Sequence, residues 1–195
     1  MLSKMGKSPF DFVMNEGYKT LGTANIHRTF FEQDLTYMLR GYRSILLHFD
    51  SIKTFLESKS ELHTVWDIAK TLHSEIKKAN ENNHNAKCFP SNLEKSALKR
   101  INLALRWLVR NDGIVDLGVW TFLKPSQLYI PLDVHVGNTA RELGLLQRIT
   151  NDRKAVEQLT AKLREFCPED PVKYDFALFG AGINKNILPI FFVRS

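Results

Sequence analysis

The sequence has little cysteine and no long apolar run. Its two cysteines, Cys88 and Cys167, belong to no Cys-x-x-Cys pair or Cys/His cluster, so we expect free thiols rather than a zinc or iron–sulfur site. No stretch approaches the ~18 consecutive apolar residues of a membrane helix. Residues 1–12 (MLSKMGKSPFDF) lack the apolar run of a secretory signal. We therefore predict a cytoplasmic protein with no membrane partner.

Several familiar motifs are also missing. The sequence contains no Walker A loop, no Gly-x-Gly-x-x-Gly after a strand, no His-Glu-x-x-His, no EF-hand loop and no Gly-x-Ser-x-Gly. The six histidines are scattered. These absences argue against nucleotide-binding, zinc protease, calcium-binding and serine hydrolase classes, and we predict neither a metal nor a cofactor.

The composition is that of a globular protein with a basic balance. The chain has 195 residues, 44% hydrophobic and 25% charged, a length typical of one domain, so we predict a single domain over residues 1–195. The net charge is +6. Residues 87–110 hold six basic side chains against one acidic one, a balance of +5, which makes a polyanionic partner plausible.

Apolar residues recur at helical spacing along most of the chain, which predicts an all-α protein without strands. One helix is expected around residues 35–49 and another around residues 62–76, the latter with Ser60 as its N-cap. Residues 111–131 lack a sustained period and are predicted to be loop and short turns. Further helices are expected to begin at Asn151 or Asp152 and at Asp170 with Pro171.

The basic segment, residues 87–110, is predicted to contain an amphipathic helix. One stripe is apolar (Ala97, Ile101, Leu105, Leu108), and another carries Lys99, Asn102, Arg106 and Arg110. This pattern predicts a core helix with a basic rim.

The Asp-bearing segment, residues 125–146, places Asp133 after two prolines and at the start of a helix that ends at Gly144. An aspartate in this position is most often an N-cap, which is the alternative to any chemical role.

Three blocks of the chain carry a family resemblance: ALKRINLALRWLVRNDGIVDLGVW (97–120), PSQLYIPLDVHVGNTARELGLL (125–146) and PEDPVKYDFALFGAG (168–182). They resemble the DUF2400 proteins, a bacterial branch that is similar to the helix-hairpin-helix DNA glycosylase superfamily. The resemblance implies a helix-hairpin-helix glycosylase-like helical bundle. It also implies a base-excision repair glycosylase acting on damaged duplex DNA.

In that superfamily Asp133 would match the catalytic aspartate, and Lys99 would match the lysine that forms a Schiff base in members with AP-lyase activity. The resemblance further implies DNA-binding roles for Lys95, Arg100, Arg106, Arg110, His135 and Arg141. The alternative is a nucleic-acid-binding or degenerate member of the same fold without catalysis.

Three departures from the superfamily pattern accompany the resemblance. The hairpin stretch SNLEKS (91–96) has no glycine, and 34 residues separate Lys99 from Asp133, which implies an insertion at 111–124. Residues 1–15 resemble an internal part of the branch, so its N-terminal helices are expected to be missing. A homodimer through the surface so exposed is therefore expected, with the apolar run at 187–193 as another cover for it.

Overall fold

The computed structural model describes residues 4–60, 62–82, 87 and 89–184. It is mainly helical, as predicted, and divides into two compact units, residues 1–93 and 94–195. The apolar run at 187–193 and Cys88 lie outside the described residues. No helix in the described ranges is both long and apolar enough to cross a membrane. The single-domain organisation stays a prediction.

The described residues of the first unit form four α-helices and a small hairpin. These are α1 (Pro9–Met14), β1 (Asn25–His27), β2 (Phe30–Phe31), α2 (Glu32–Leu46), α3 (Ile52–Glu57) and α4 (Val65–Ala79), with a 3₁₀ helix at Gly17–Thr20. The two strands pair antiparallel. The prediction of no strands was wrong here, because strands this short leave no period to detect.

The packing of α2 against α4 depends on a glycine. A Cβ atom on Gly41 would lie 2.4 Å from Cγ1 and 2.7 Å from Cα of Ile76, so only glycine allows this close approach. Helix α4 begins after Thr64, whose hydroxyl accepts from the backbone N–H of Asp67, and Asp67 in turn accepts from the backbone N–H of Thr64. The prediction of Ser60 as the N-cap was therefore wrong, since this reciprocal capping box lies four residues later.

The part of the second unit that the structure describes, residues 94–184, contains four α-helices: α5 (Lys99–Val109), α6 (Val134–Glu142), α7 (Arg153–Phe166) and α8 (Asp175–Ile183). Two 3₁₀ helices, Pro125–Gln127 and Pro171–Tyr174, lie between them. The predicted helix starts at Asp133 and at Asn151 or Asp152 are confirmed, with Asp133 and Asp152 as the N-caps, as is the turn at Gly144, where φ is +70°. The core contains apolar side chains from all four helices, including Leu105, Val136, Leu159 and Leu178.

Helix α8 packs closely on α6. A Cβ atom on Gly182 would lie 2.8 Å from Oγ1 of Thr139 and 2.9 Å from the carbonyl oxygen of His135. The His135 and Phe179 rings also meet edge to face, 5.6 Å apart. These contacts fix the start of α6, which carries Asp133, against the second half of α8.

Candidate functional site

The two residues predicted to be catalytic lie side by side. Nζ of Lys99 lies 3.2 Å from Oδ2 of Asp133, although 34 residues separate them in the chain. Asp133 is largely buried, whereas the Lys99 side chain is 42% exposed. The pair is therefore accessible from solvent through the lysine.

Lys99 owes its place to an unusual helix start. It is the first residue of α5, and Leu98 before it adopts a left-handed conformation with φ of +47°. The Leu98 carbonyl accepts from the backbone N–H groups of Ile101 and Asn102. No side chain caps this helix start. The hairpin stretch without glycine is thus followed, two residues later, by a left-handed leucine, which costs roughly 1–2 kcal/mol of backbone strain.

Asp133 is held by both its side chain and its backbone. Its Oδ1 accepts from the backbone N–H of Val136 at 2.9 Å, which makes it the N-cap of α6. Its carbonyl oxygen accepts from the side-chain amide of Asn151, also at 2.9 Å. Nη2 of Arg141 donates to Oδ1 of Asn151 at 2.6 Å. Asn151 therefore links the loop before α7 to the turn that presents Asp133.

Gly137 makes room for this link. A Cβ atom there would lie 2.7 Å from Oδ1 of Asn151 and 2.9 Å from Nη1 of Arg141. Arg141, which was predicted to bind DNA, donates hydrogen bonds to Asn151 and to the Arg148 carbonyl, and its role on DNA stays a prediction. Asn151 and Gly137 were not predicted as site residues, because neither belongs to a recognisable motif.

The predicted basic rim of α5 was largely wrong. The buried stripe consists of Asn102, Leu105, Arg106 and Val109, which is rotated from the predicted apolar stripe. Arg106 is 1% exposed and pairs with Asp175 at 2.6 Å and with Asp116 at 3.3 Å. A side chain buried between two carboxylates is not placed to contact a phosphate.

Arg110 is similarly occupied. Its guanidinium pairs with Asp116 and with Asp170, the latter at 2.8 Å. Burial would lower its pKa, but the hydrogen bond and charge of Asp170, together with Asp116, raise it.

Burial raises the pKa of the Asp175 carboxyl, while the attraction of Arg106 opposes that rise. Asp175 also interacts electrostatically with Asp133 and Lys99, so this buried network extends to the candidate site.

The other predicted DNA-binding residues keep solvent access. Lys95, Arg100 and His135 are all exposed. Arg100 is the second residue of α5 and stands next to Lys99, while Lys95 lies in the segment before the helix. The backbone of that segment is tied to α7, because the carbonyl of Lys95 accepts from the N–H of Arg153. Their roles on DNA stay predictions.

The described residues contain no cluster of three or more His, Cys, Asp or Glu side chains that could hold a metal ion. The second unit is thus a helical scaffold in which an accessible lysine and a largely buried aspartate meet at the starts of two helices.

The chain belongs to the DUF2400 family, proteins of unknown function, whose family model matches residues 1–184. No curated protein and no solved structure matches the chain. The kinship with helix-hairpin-helix glycosylases therefore stays a proposal.

Proposed function

We propose that this protein is a DNA glycosylase with AP-lyase activity, in which Lys99 is the nucleophile and Asp133 stabilises the charge on the sugar. The observation that carries this proposal is the 3.2 Å contact between the Lys99 ammonium nitrogen and the Asp133 carboxylate. A nucleophile, a proton acceptor within hydrogen-bond reach and solvent access are the requirements for Schiff-base chemistry.

The chemistry uses both side chains. A damaged nucleotide must leave the base stack before its glycosidic bond can be reached. As that bond breaks, the base leaves with the bonding electrons and positive charge develops at C1′. The negative charge of the Asp133 carboxylate would stabilise this positive charge. Lys99, after passing a proton to Asp133, attacks C1′ through its free amine. A proton then moves from the attached nitrogen to O4′ as the C1′–O4′ bond breaks, which opens the sugar and gives the iminium. Loss of the C2′ proton to solvent then expels the 3′ phosphate by β-elimination.

The start of α5 supports this reading with groups suited to a phosphate. The backbone N–H groups of the first helical turn have no side-chain cap, and the positive end of the helix dipole lies there. The exposed Arg100 and Lys95 add two cations to the same end of the helix. Arg100→Ala is expected to weaken DNA binding. It should also reduce the slope of the logarithm of the binding constant against the logarithm of the salt concentration by about 1, the value for one phosphate contact.

A second candidate is a nucleic-acid-binding protein without catalysis, and one observation favours it. The start of α7 repeats the arrangement: Asp152 caps the helix through the N–H of Ala155 and pairs with Arg148. An aspartate that caps a helix and binds a cation can therefore be purely structural in this fold. The two readings differ in whether Asp133 and Lys99 are needed for turnover.

The test compares each candidate residue with a matched control. Lys99→Ala is paired with Lys162→Ala, since Lys162 is also 42% exposed and also paired with a carboxylate, Glu165. Asp133→Asn is paired with Asp152→Asn, because asparagine keeps the capping oxygen in both helices. Strand cleavage and base release are measured on duplexes bearing an abasic site, 8-oxoguanine, uracil or an alkylated base.

We expect Lys99→Ala to abolish strand cleavage and Asp133→Asn to reduce turnover by at least two orders of magnitude, with DNA affinity largely retained. The two controls should behave as the wild-type protein. DNA binding without turnover in a folded wild-type chain would contradict the enzyme and favour the second candidate. A folded wild-type chain that shows neither DNA binding nor turnover would contradict both candidate functions.

A further inference from the structure

The loop between α5 and the next 3₁₀ helix carries an unusual amount of exposed apolar surface. Four of its side chains and one at the end of α5 are between 41% and 89% exposed: Trp107, Ile114, Val115, Leu117 and Val119. Large apolar side chains scattered singly over a surface are ordinary, whereas several in thirteen consecutive residues mark an interaction surface. We call this set of five side chains the apolar loop surface.

Backbone contacts bring these side chains together. The N–H of Leu117 donates to the carbonyl of Trp107 at 2.6 Å, and the N–H of Trp120 donates to the carbonyl of Leu108 at 2.7 Å. Asn111 and Leu117 also form an antiparallel bridge. The second half of the loop therefore runs back along the end of α5, so that Trp107 and Leu117 are neighbours.

Two aspartates, the exposed Asp112 and the buried Asp116, hold the loop in place. The Asp112 carboxylate accepts from the backbone N–H groups of residues 114, 115 and 116, each at 2.9 Å. These bonds lower the pKa of Asp112 to about 2. Asp116 is buried and pairs with Arg106 and Arg110. The exposed side chains are therefore presented on a loop that has little conformational entropy left to lose on binding.

The charges around this surface do not suit a polyanion. Arg110 is the only cation in residues 107–120, and Asp116 and Asp170 already neutralise it. The same stretch contains the acidic residues Asp112 and Asp116. This stretch therefore offers a nucleic acid no unpaired cation, whereas it offers an apolar surface on a protein partner an apolar surface of its own.

The area is that of a small protein–protein contact. The exposed fractions of the five residues correspond to an apolar patch on the order of 500 Å², the size of the largest patch on a typical monomer, which is often functional. Two such patches facing each other would bury about 1,000 Å², which is the lower limit for a specific interface. Because the chain carries +6, two copies repel least where the surface holds no unpaired charge.

We propose that the apolar loop surface is a self-association site, at which a second copy of this chain presents the same surface in a two-fold symmetric dimer. Symmetric pairing of one patch with itself is the commonest form of homodimer. An interface this small is typical of weak, transient contacts, so we expect a dimer that dissociates on dilution. This inference does not depend on the proposed enzymatic function, and its surface differs from the N-terminal one expected from the sequence.

The test is sedimentation velocity of the full chain from low to high micromolar concentration. Wild-type protein should shift from monomer to dimer, and Ile114→Asp and Leu117→Asp should each remain monomeric at all concentrations. Ile149→Asp is the matched control, because Ile149 is 87% exposed, like Ile114 at 89%, but lies in the loop before α7. All three positions face solvent, so the thermal midpoints should match that of the wild type.

Any one of three other outcomes would overturn the proposal. A wild-type chain that is monomeric at every concentration excludes self-association. Equal weakening by Ile114→Asp and Ile149→Asp places the contact elsewhere. A variant at Ile114 that keeps the dimer but loses DNA affinity would assign the surface to nucleic acid instead.

Discussion

The buried arginine of α5 offers a direct test of the second unit. Arg106 is 1% exposed and lies between the carboxylates of Asp116 and Asp175. Arg106→Met keeps most of the side-chain volume but leaves Asp175 as a buried carboxylate without its cation, whereas Asp116 retains Arg110. Breaking a buried ion pair on one side costs about 3–5 kcal/mol. Since Asp116 stays paired, we expect a loss of about 3 kcal/mol, at the lower end of that range.

The control for this substitution is Arg153→Met. Arg153 also contacts two carboxylates, Glu157 and Glu94, but at the surface, where ion pairs contribute at most about 1 kcal/mol. Hydrogen exchange of the α5 and α8 amides measures the free energy of opening in this unit. The double variant Arg106→Met/Asp175→Asn should recover part of the loss, because it removes the stranded carboxylate.

The pH dependence of Arg106→Met has a defined sign. Burial raises the pKa of Asp175 in the folded protein, and the variant removes the attraction that opposed this rise. The folded state therefore holds the proton more tightly than the unfolded state, so stability falls as pH rises from the unfolded carboxyl value, ~3.9, through the raised value. A loss no larger than that of Arg153→Met, or one independent of pH, would refute the buried-pair account.

Three further predictions concern local structure. Gly41→Ala should lower the free energy of unfolding, measured by urea denaturation, by about 1–3 kcal/mol, because the new Cβ atom would clash with Ile76. Gly180→Ala is the control: a Cβ atom there would have no neighbour within 4 Å, so the substitution should be neutral or slightly stabilising. An equal effect of both would contradict the close packing. The Asp112 carboxyl should titrate near pH 2 by NMR. The stability that it contributes is therefore present above ~3.9, the pKa in the unfolded state, and is lost as the pH falls toward 2. A titration midpoint near pH 4 would contradict this. Asn151→Ala should lower the thermal midpoint by an amount equivalent to about 1 kcal/mol, and an unchanged midpoint would show that its bond to the α6 turn is dispensable.

The features of the fold that could be predicted from the sequence are the local ones. Asp133 and Asp152 precede apolar helical patterns, so both N-caps could be predicted from a few neighbouring residues. The capping box at Thr64 was also local, but Ser60 offered a competing cap four residues earlier.

Long-range charge pairing could not be predicted in this way. Arg106 looked like a rim residue, because an arginine in an amphipathic helix is usually solvated. Its partners lie 10 and 69 residues further along the chain, at Asp116 and Asp175, and only the fold brings them to it. The Lys99–Asp133 contact is equally long-range. It was anticipated only through a family resemblance, since no spacing rule joins residues 34 apart.

The most direct test of the proposed function is to identify the residue that becomes attached to DNA. The protein is incubated with duplex DNA bearing an abasic site, treated with borohydride, digested and mapped by mass spectrometry. We predict a single reduced adduct on Lys99, absent in Lys99→Ala and retained in Lys162→Ala. An adduct on another lysine, or none from folded protein that binds the duplex, would contradict the assignment of Lys99 as the nucleophile.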